Sequence, residues 1–299
     1  MLDYPALAAV SAVLREGSFE RAANRLGITP SAVSQRVRGL EERLGAILIV
    51  RGQPCTATEP GLALCAHFDR VQLLEADLAP ALAPMVGEAG PRPPLKVAIN
   101  ADSLATWFPC AAAMFTRATG LLLDLTIEDE AHTADWLRSG EVLAAVTSDP
   151  EPVQGCKTVL LGALRYGAYA SPAFIARHFA EGVNANSLAR APCMRFDRRD
   201  RLQTRWTEEA HGVTLNAATH RVPSTHGFVD FALAGIGWGM QPVSLARPHV
   251  AENRLMELPP GLQVDVKLYW TVTRLHATSL RYLTDAIGTA ASEHLCPDR

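Results

Sequence analysis

"ITPSAVSQRVRGLEERLG", residues 28–45, decides how the first domain is read. At 3.6 residues per turn, Ser31, Ser34, Gln35 and Arg38 share one helix face. Val33, Val37, Leu40 and Leu44 fall on the opposite face, with the 4, 3, 4 spacing of a buried stripe. Thr29 can cap the helix and Pro30 suits its first turn. A bland surface helix carries Glu and Lys pairs on its outer face. This one carries small polar groups and an arginine that can reach into a groove.

Upstream, Tyr4 to Glu16 reads as a helix with Leu7, Val10 and Leu14 inward, ended by Gly17. Ser18 caps a second helix, "SFERAANRLG", with Arg21 where a reciprocal capping box needs Glu or Gln. Gly27 allows the tight turn into residues 28–45, giving helix, short turn, helix. Downstream, "AILIVRGQPCTATEPG" reads as strand, turn and strand, a wing. A third helix so presented is a recognition helix for the major groove of duplex DNA. Gln35 suits adenine, Arg38 suits guanine or a phosphate, and Arg36 and Arg51 suit phosphates.

From Glu59 the pattern is helical again. Leu64, Phe68, Val71, Leu74, Leu78, Leu82 and Met85 form a stripe, and Pro80 and Pro84 should kink or fray its last turns. Little nearby sequence covers this stripe. It fits a long linker helix that pairs with a second copy of itself, or else the core helix of a domain. "GEAGPRPP", 87–94, is a boundary by its Gly and Pro content. Beyond it strands and helices alternate: "LKVAIN", a helix from about Ser103, "LLLDLTIE", a helix at "ADWLRSG", and "LAAVTS". A second set runs from "RYGAYAS" through "CMRFD", "THRVP", the helix "THGFVDFALAG" and "GWGM" to "DVKLYWTVT" and a terminal helix, Ser279 to Leu295. Such alternation favours two α/β lobes with ligands at strand C-terminal ends.

The charge is unevenly placed. Residues 1–58 carry seven Arg and five acids, while the whole 299-residue chain has a formal charge of −3, so a basic head sits on an acidic body. No apolar run is long enough to span a membrane, and "MLDYPALAAV" lacks a signal-peptide pattern. The six scattered cysteines include no C-x-x-C pair and read as free thiols. The expectation is a cytoplasmic protein. No metal-ligand spacing, nucleophile motif or cofactor fingerprint occurs; "GIGWGM" follows a helix and lacks a phosphate-loop context.

"GSFERAANRLGITPSAVSQRVRGLEERLG" resembles the N-terminal signature of LysR-type transcriptional regulators, and the resemblance extends over essentially the whole chain. "VAINADSLATWF", "IEDE", "LRSGEVLAAVT", "PVQGC", "LGALRY" and "GIGWGM" are similar to its lysine- and arginine-responsive ArgP/LysG branch. The resemblance implies a winged helix-turn-helix at 1–58, a dimerising linker helix at 59–90 and a two-lobed effector-binding domain of periplasmic-binding-protein type at 91–299. Lobe I would be about 91–163 with 268–299, and lobe II about 164–267. It further implies a homodimer, often a homotetramer, that binds operator DNA and acts with RNA polymerase to activate a basic amino-acid exporter gene. Two departures stand out. The wing lacks the aromatic residue common before its Arg, and His226 stands in "PSTHGF" where the branch often has an acid.

Within that frame, Asp102 and Ser103 open a helix after a strand, where backbone N–H groups can hold an amino-acid carboxylate or simply be capped. Ser224 and Thr225 are placed similarly in the second lobe, with the same two readings. Glu128 and Asp129 end a strand and suit a lysine or arginine side chain, or form a solvated loop. Trp107 lines the cleft or fills the core. The rivals to this reading are a regulator with a different effector and a two-lobed solute-binding protein or enzyme.

Overall fold

The computed structural model describes residues 2–86, 93–128 and 132–297, and for 79–86 the backbone only. Asp129 and most of the 87–94 boundary lie outside the described residues. The head comprises α1 (Tyr4–Glu16), α2 (Phe19–Leu26), α3 (Pro30–Leu44), and a wing of β1 (Ile49–Val50) and β2 (Thr56–Ala57). Thr29 Oγ1 accepts the Ala32 N–H at 3.2 Å and Ser18 Oγ accepts the Arg21 N–H at 3.1 Å, so α3 and α2 start at their capping residues. Val33, Val37 and Leu40 pack with Leu7, Val10, Ala22 and Ala23 in one small core. Leu44, expected in the same stripe, is 44% exposed. At fifteen residues α3 outruns the eight-residue α2 packed on it, which leaves its last turn uncovered.

A single helix, α4 (Glu59–Val86), continues through both prolines at which fraying was expected. Its stripe is divided. Leu64 and Phe68 pack on the head's own core and Leu73 enters the core of the body, while Leu74 and Leu78 stay 38% and 59% exposed. The chain thus covers the first half of a stripe that the sequence left bare. Asp69 of α4, 8% exposed, pairs with Arg15 of α1 and, at 2.8 Å, with Lys96 of the first body strand.

The body begins with β3 (Leu95–Ile99), α5 (Ala101–Ala105), α6 (Phe108–Thr119), β4 (Leu123–Ile127), α7 (Thr133–Ser139) and β5 (Ala144–Thr147). The helix expected from Ser103 is in fact two, with Pro109 in the first turn of the second. A fifteen-residue strand, β6 (Cys156–Ala170), leads into α8 (Pro172–His178), α9 (Ala185–Arg190), β7 (Cys193–Arg195), α10 (Leu202–His211) and β8 (Thr219–Arg221). Then follow α11 (Thr225–Leu233), β9 (Gly239–Pro242), α12 (Val243–Ala251), β10 (Met256–Glu257), β11 (Val264–Thr273) and α13 (Thr278–His294).

Among the described residues, seven strands share one sheet in the order β10-β6-β11-β5-β3-β4, with β9 also on β6. Strand β11 pairs antiparallel over its whole length with Cys156–Tyr166 of β6, and the two strands serve both lobes. One end of the pair adjoins β5, the other adjoins β9 and β10. Their register shifts between Leu268 and Tyr269, opposite Gly162. Gly162 has φ 132°, and a Cβ there would meet the Cys296 carbonyl oxygen at 2.8 Å, so the crossover requires glycine. The result is a two-lobed α/β body. Asp77 of α4 accepts the Thr278 N–H at 2.5 Å, joining the linker helix to the start of α13. All six cysteines are free, and no described helix is long and apolar enough to cross a membrane.

Candidate ligand cleft and nucleic-acid interface

Strand β3 ends at Ile99, and Asn100 caps the helix that follows: its Oδ1 accepts the Ser103 N–H at 2.7 Å. The two readings of Ser103 resolve to structure. It is fully buried, and its Oγ accepts the Trp107 indole N–H at 3.0 Å. Trp107, 1% exposed, lies edge-on to Phe108 in the main core. Neither residue lines the cleft, because the first turn of α5 aims Asp102 outward and Ser103 inward. Asp102 instead joins the lobes. The Tyr166 hydroxyl donates to its Oδ2 and the Thr225 hydroxyl to its Oδ1, both at 2.6 Å. Burial first, and then the Asp102 charge, push the Tyr166 phenol well above its ordinary pKa, so it remains a donor.

Glu128 follows β4 and accepts the Thr147 hydroxyl at 3.0 Å. The third acid, Asp200, is one that sequence reasoning passed over. It sits in the turn "FDRRDR", 196–201, and accepts the Phe196 and Leu202 N–H groups at 2.8 and 3.0 Å. Burial raises its carboxyl above the usual range despite those donors. Asp102, Glu128 and Asp200 line one cavity of about 450 Å³, with Tyr166, Phe196, Asp197 and Arg199. Arg205 also lines it but is paired with Glu209 at 2.7 Å.

Ser224 is a cap: its Oγ accepts the Gly227 N–H at 3.1 Å and it lies outside the cavity. His226 is exposed and also stands outside. An anion at both helix starts, as first expected, conflicts with the Asp102 carboxylate, which already sits in the first turn of α5. Among the described residues, no cluster of His, Cys, Asp and Glu is suited to a metal.

On the head, Ser31, Gln35, Arg36 and Arg38 are exposed and Ser34 is half-buried. Arg25 and Arg43 are paired with Glu16 and Asp3 at 2.8 and 3.7 Å. Arg51 of the wing is exposed, its guanidinium 5.1 Å from the centre of the Phe19 ring. An aromatic from α2 thus supports the wing arginine, although none precedes it in sequence.

A winged helix-turn-helix joined by a helical stem to a two-lobed body with a polar cleft is the plan of a ligand-responsive transcription regulator. Residues 5–62 match the model of bacterial regulatory helix-turn-helix proteins of the lysR family, and residues 88–292 match the LysR substrate binding domain. The chain belongs to the LysR family and is a DNA-binding transcriptional regulator, not an enzyme. It is 42% identical over 297 residues to the HTH-type transcriptional regulator ArgP of Pseudomonas fluorescens (strain Pf0-1), covering 99% of each chain. It is 41% identical over 280 residues to the lysine export transcriptional regulatory protein LysG of Corynebacterium efficiens, covering 93% of this chain and 94% of that one. Full-length LysG from Corynebacterium glutamicum with bound effector Arg superposes with a TM-score of 0.71 at 38% identity, covering 99% of this chain and 100% of that one.

Proposed function

We propose that this regulator senses L-lysine or L-arginine between its lobes and activates a basic amino-acid exporter gene. Asp102, Glu128 and Asp200 converging on one cavity is the observation that carries this reading. These three carboxylates come from three segments, the fourth in the lining, Asp197, being paired with Arg199, and they suit a cationic ligand that must give up water. The named effector of the similar C. glutamicum protein supports it, as does the export role in the name of the C. efficiens one. The protein works in the cytoplasm as a dimer or tetramer on its operator, together with RNA polymerase. Ligand acts by favouring one arrangement of the lobes over another, since only differential affinity moves such an equilibrium.

Calorimetry on the full-length protein tests the effector. Lysine or arginine binds, and leucine and glutamate bind far more weakly. Glu128→Gln and Asp200→Asn each weaken lysine binding roughly 10- to 150-fold, the value of a lost charge-assisted bond. Equal binding of glutamate would favour an anionic effector held by the cleft arginines. Because the Asp200 carboxyl is raised, a bound cation drives it to ionise. In the pH range around that raised pKa lysine uptake releases protons, and affinity falls as the pH is lowered through it, which titration in buffers of different ionisation heat reads directly.

The DNA-reading face is tested by gel-shift titration. Gln35→Ala and Arg38→Ala each weaken operator binding by about 1–3 kcal/mol and relax specificity. Arg36→Ala, a phosphate contact, weakens all sequences alike and flattens the salt dependence. Unchanged operator affinity in the first two would remove them from base reading.

A further inference from the structure

Gln241 of β9 is 1% exposed, and neither polar atom of its side chain has a hydrogen-bond partner within the chain. A buried primary amide has lost water on both sides and holds an open donor and an open acceptor. Gln241 lines an inner cavity of about 120 Å³ with Asp102, Tyr166 and Thr225, walled by Phe228 and Met240. Five residues line both this cavity and the larger one, Asp102 among them, so the two are neighbouring compartments of one cleft.

The inner compartment has a particular chemistry. Asp102 accepts two hydroxyl protons but has no cationic partner among the described residues, so its charge draws a cation. The first turn of the nine-residue α11 begins at Thr225 and brings the positive end of its dipole to the same wall. A ligand group meeting both demands carries an ammonium and a carboxylate on adjacent atoms. Gln241 can serve both at once, its Oε1 accepting from the ammonium and its Nε2 donating to the carboxylate. The space holds on the order of four waters, about the bulk of an α-amino-acid head.

We propose that the inner cavity takes the α-ammonium and α-carboxylate of the ligand, and that Gln241 is the residue that makes an intact α-amino acid, rather than any basic amine, the effector. The inference rests on the amino-acid reading above and deepens it. Asp102 takes the ammonium, while Tyr166 and Thr225 are positioning residues that fix its carboxylate. The ligand's side-chain cation extends into the outer cavity toward Glu128, past Asp200, whose carboxylate borders both compartments. Decarboxylated analogues keep that cation but leave the Gln241 donor unmet, the situation in which buried polar sites discriminate most strongly.

Calorimetry on the full-length protein, with L-lysine, L-arginine, cadaverine and agmatine as probes, tests this. The unaltered protein binds the two amino acids at least about tenfold tighter than their decarboxylated counterparts. Gln241→Leu weakens the amino acids roughly 10- to 100-fold and leaves the amines within about threefold, so the preference collapses. The same variant, relieved of an unpaired buried amide, melts no lower than the unaltered protein without ligand. Gln241→Glu, which loses the donor and sets a charge against the carboxylate, weakens amino acids more than amines and serves if the leucine variant does not fold. An undiminished preference in Gln241→Leu or Gln241→Glu overturns the assignment while leaving the amino-acid reading intact. Failure of the unaltered protein to bind lysine or arginine overturns the amino-acid reading itself, and this inference with it.

Discussion

Leu74→Glu combined with Leu78→Glu converts the protein to a monomer that no longer holds its operator. The two leucines stand on the second half of a 28-residue helix, 38% and 59% exposed, while Phe68 and Leu73 are covered by the chain's own head and body. A self-pairing helix buries such side chains against their copies. The double substitution sets four carboxylates into the seam of a dimer, each at a desolvation cost of roughly 2 kcal/mol or more. Two half-sites need two joined heads, so operator affinity falls by at least about 100-fold. Analytical ultracentrifugation reads the mass and gel-shift titration the affinity. A dimer surviving the double substitution would place the subunit contact elsewhere.

Asp69→Asn is expected to separate the head from the body. Its carboxylate lies between Arg15 of α1 and Lys96 of β3, with side-chain exposures of 10%, 28% and 32% for the three residues. Removing one partner of a buried ion pair costs about 3–5 kcal/mol, and the half-open cations bring this to about 2–3 kcal/mol. With Asp69 neutral, two cations from different parts of the chain face each other, so the contact turns repulsive. Scanning calorimetry should show one transition divided into two, the head melting below the body. Adding Lys96→Met restores part of the loss, as a double-mutant cycle requires of a true pair. A single unshifted transition in Asp69→Asn would mean that the triad couples nothing.

The head was legible because its signals are local. Thr29, Pro30 and the spacing of Val33, Val37 and Leu40 lie within residues 29–40, each about a turn or less from the next, and define α3 without outside help. The body was legible as alternating elements, but β6 was read only from Arg165, because its first half, "CKTVLLGAL", serves a different lobe from its second. The cleft was less legible still. Ser103 and Ser224 share the sequence signature of an anion site, yet one faces Trp107 and the other spends its oxygen on its own helix. Asp200, within "FDRRDR", carried no motif in the sequence, and only the fold turns it inward. Gln241 carried no motif, and its burial beside Asp102 arises from residues 139 positions apart.

The crossing of β6 and β11 also sets an order of assembly on the ribosome. Lobe II closes once β11 begins, but lobe I needs the far half of β11 and then α13, whose Leu283 and Ile287 share its core with Val97 and Phe115. Until those last residues emerge, the apolar face of β3 and α6 has no cover. The head, built from residues near the start, has no such wait. A nonsense change late in the gene therefore yields a folded DNA-reading head beneath a collapsed sensor, a protein able to occupy its operators but deaf to the signal.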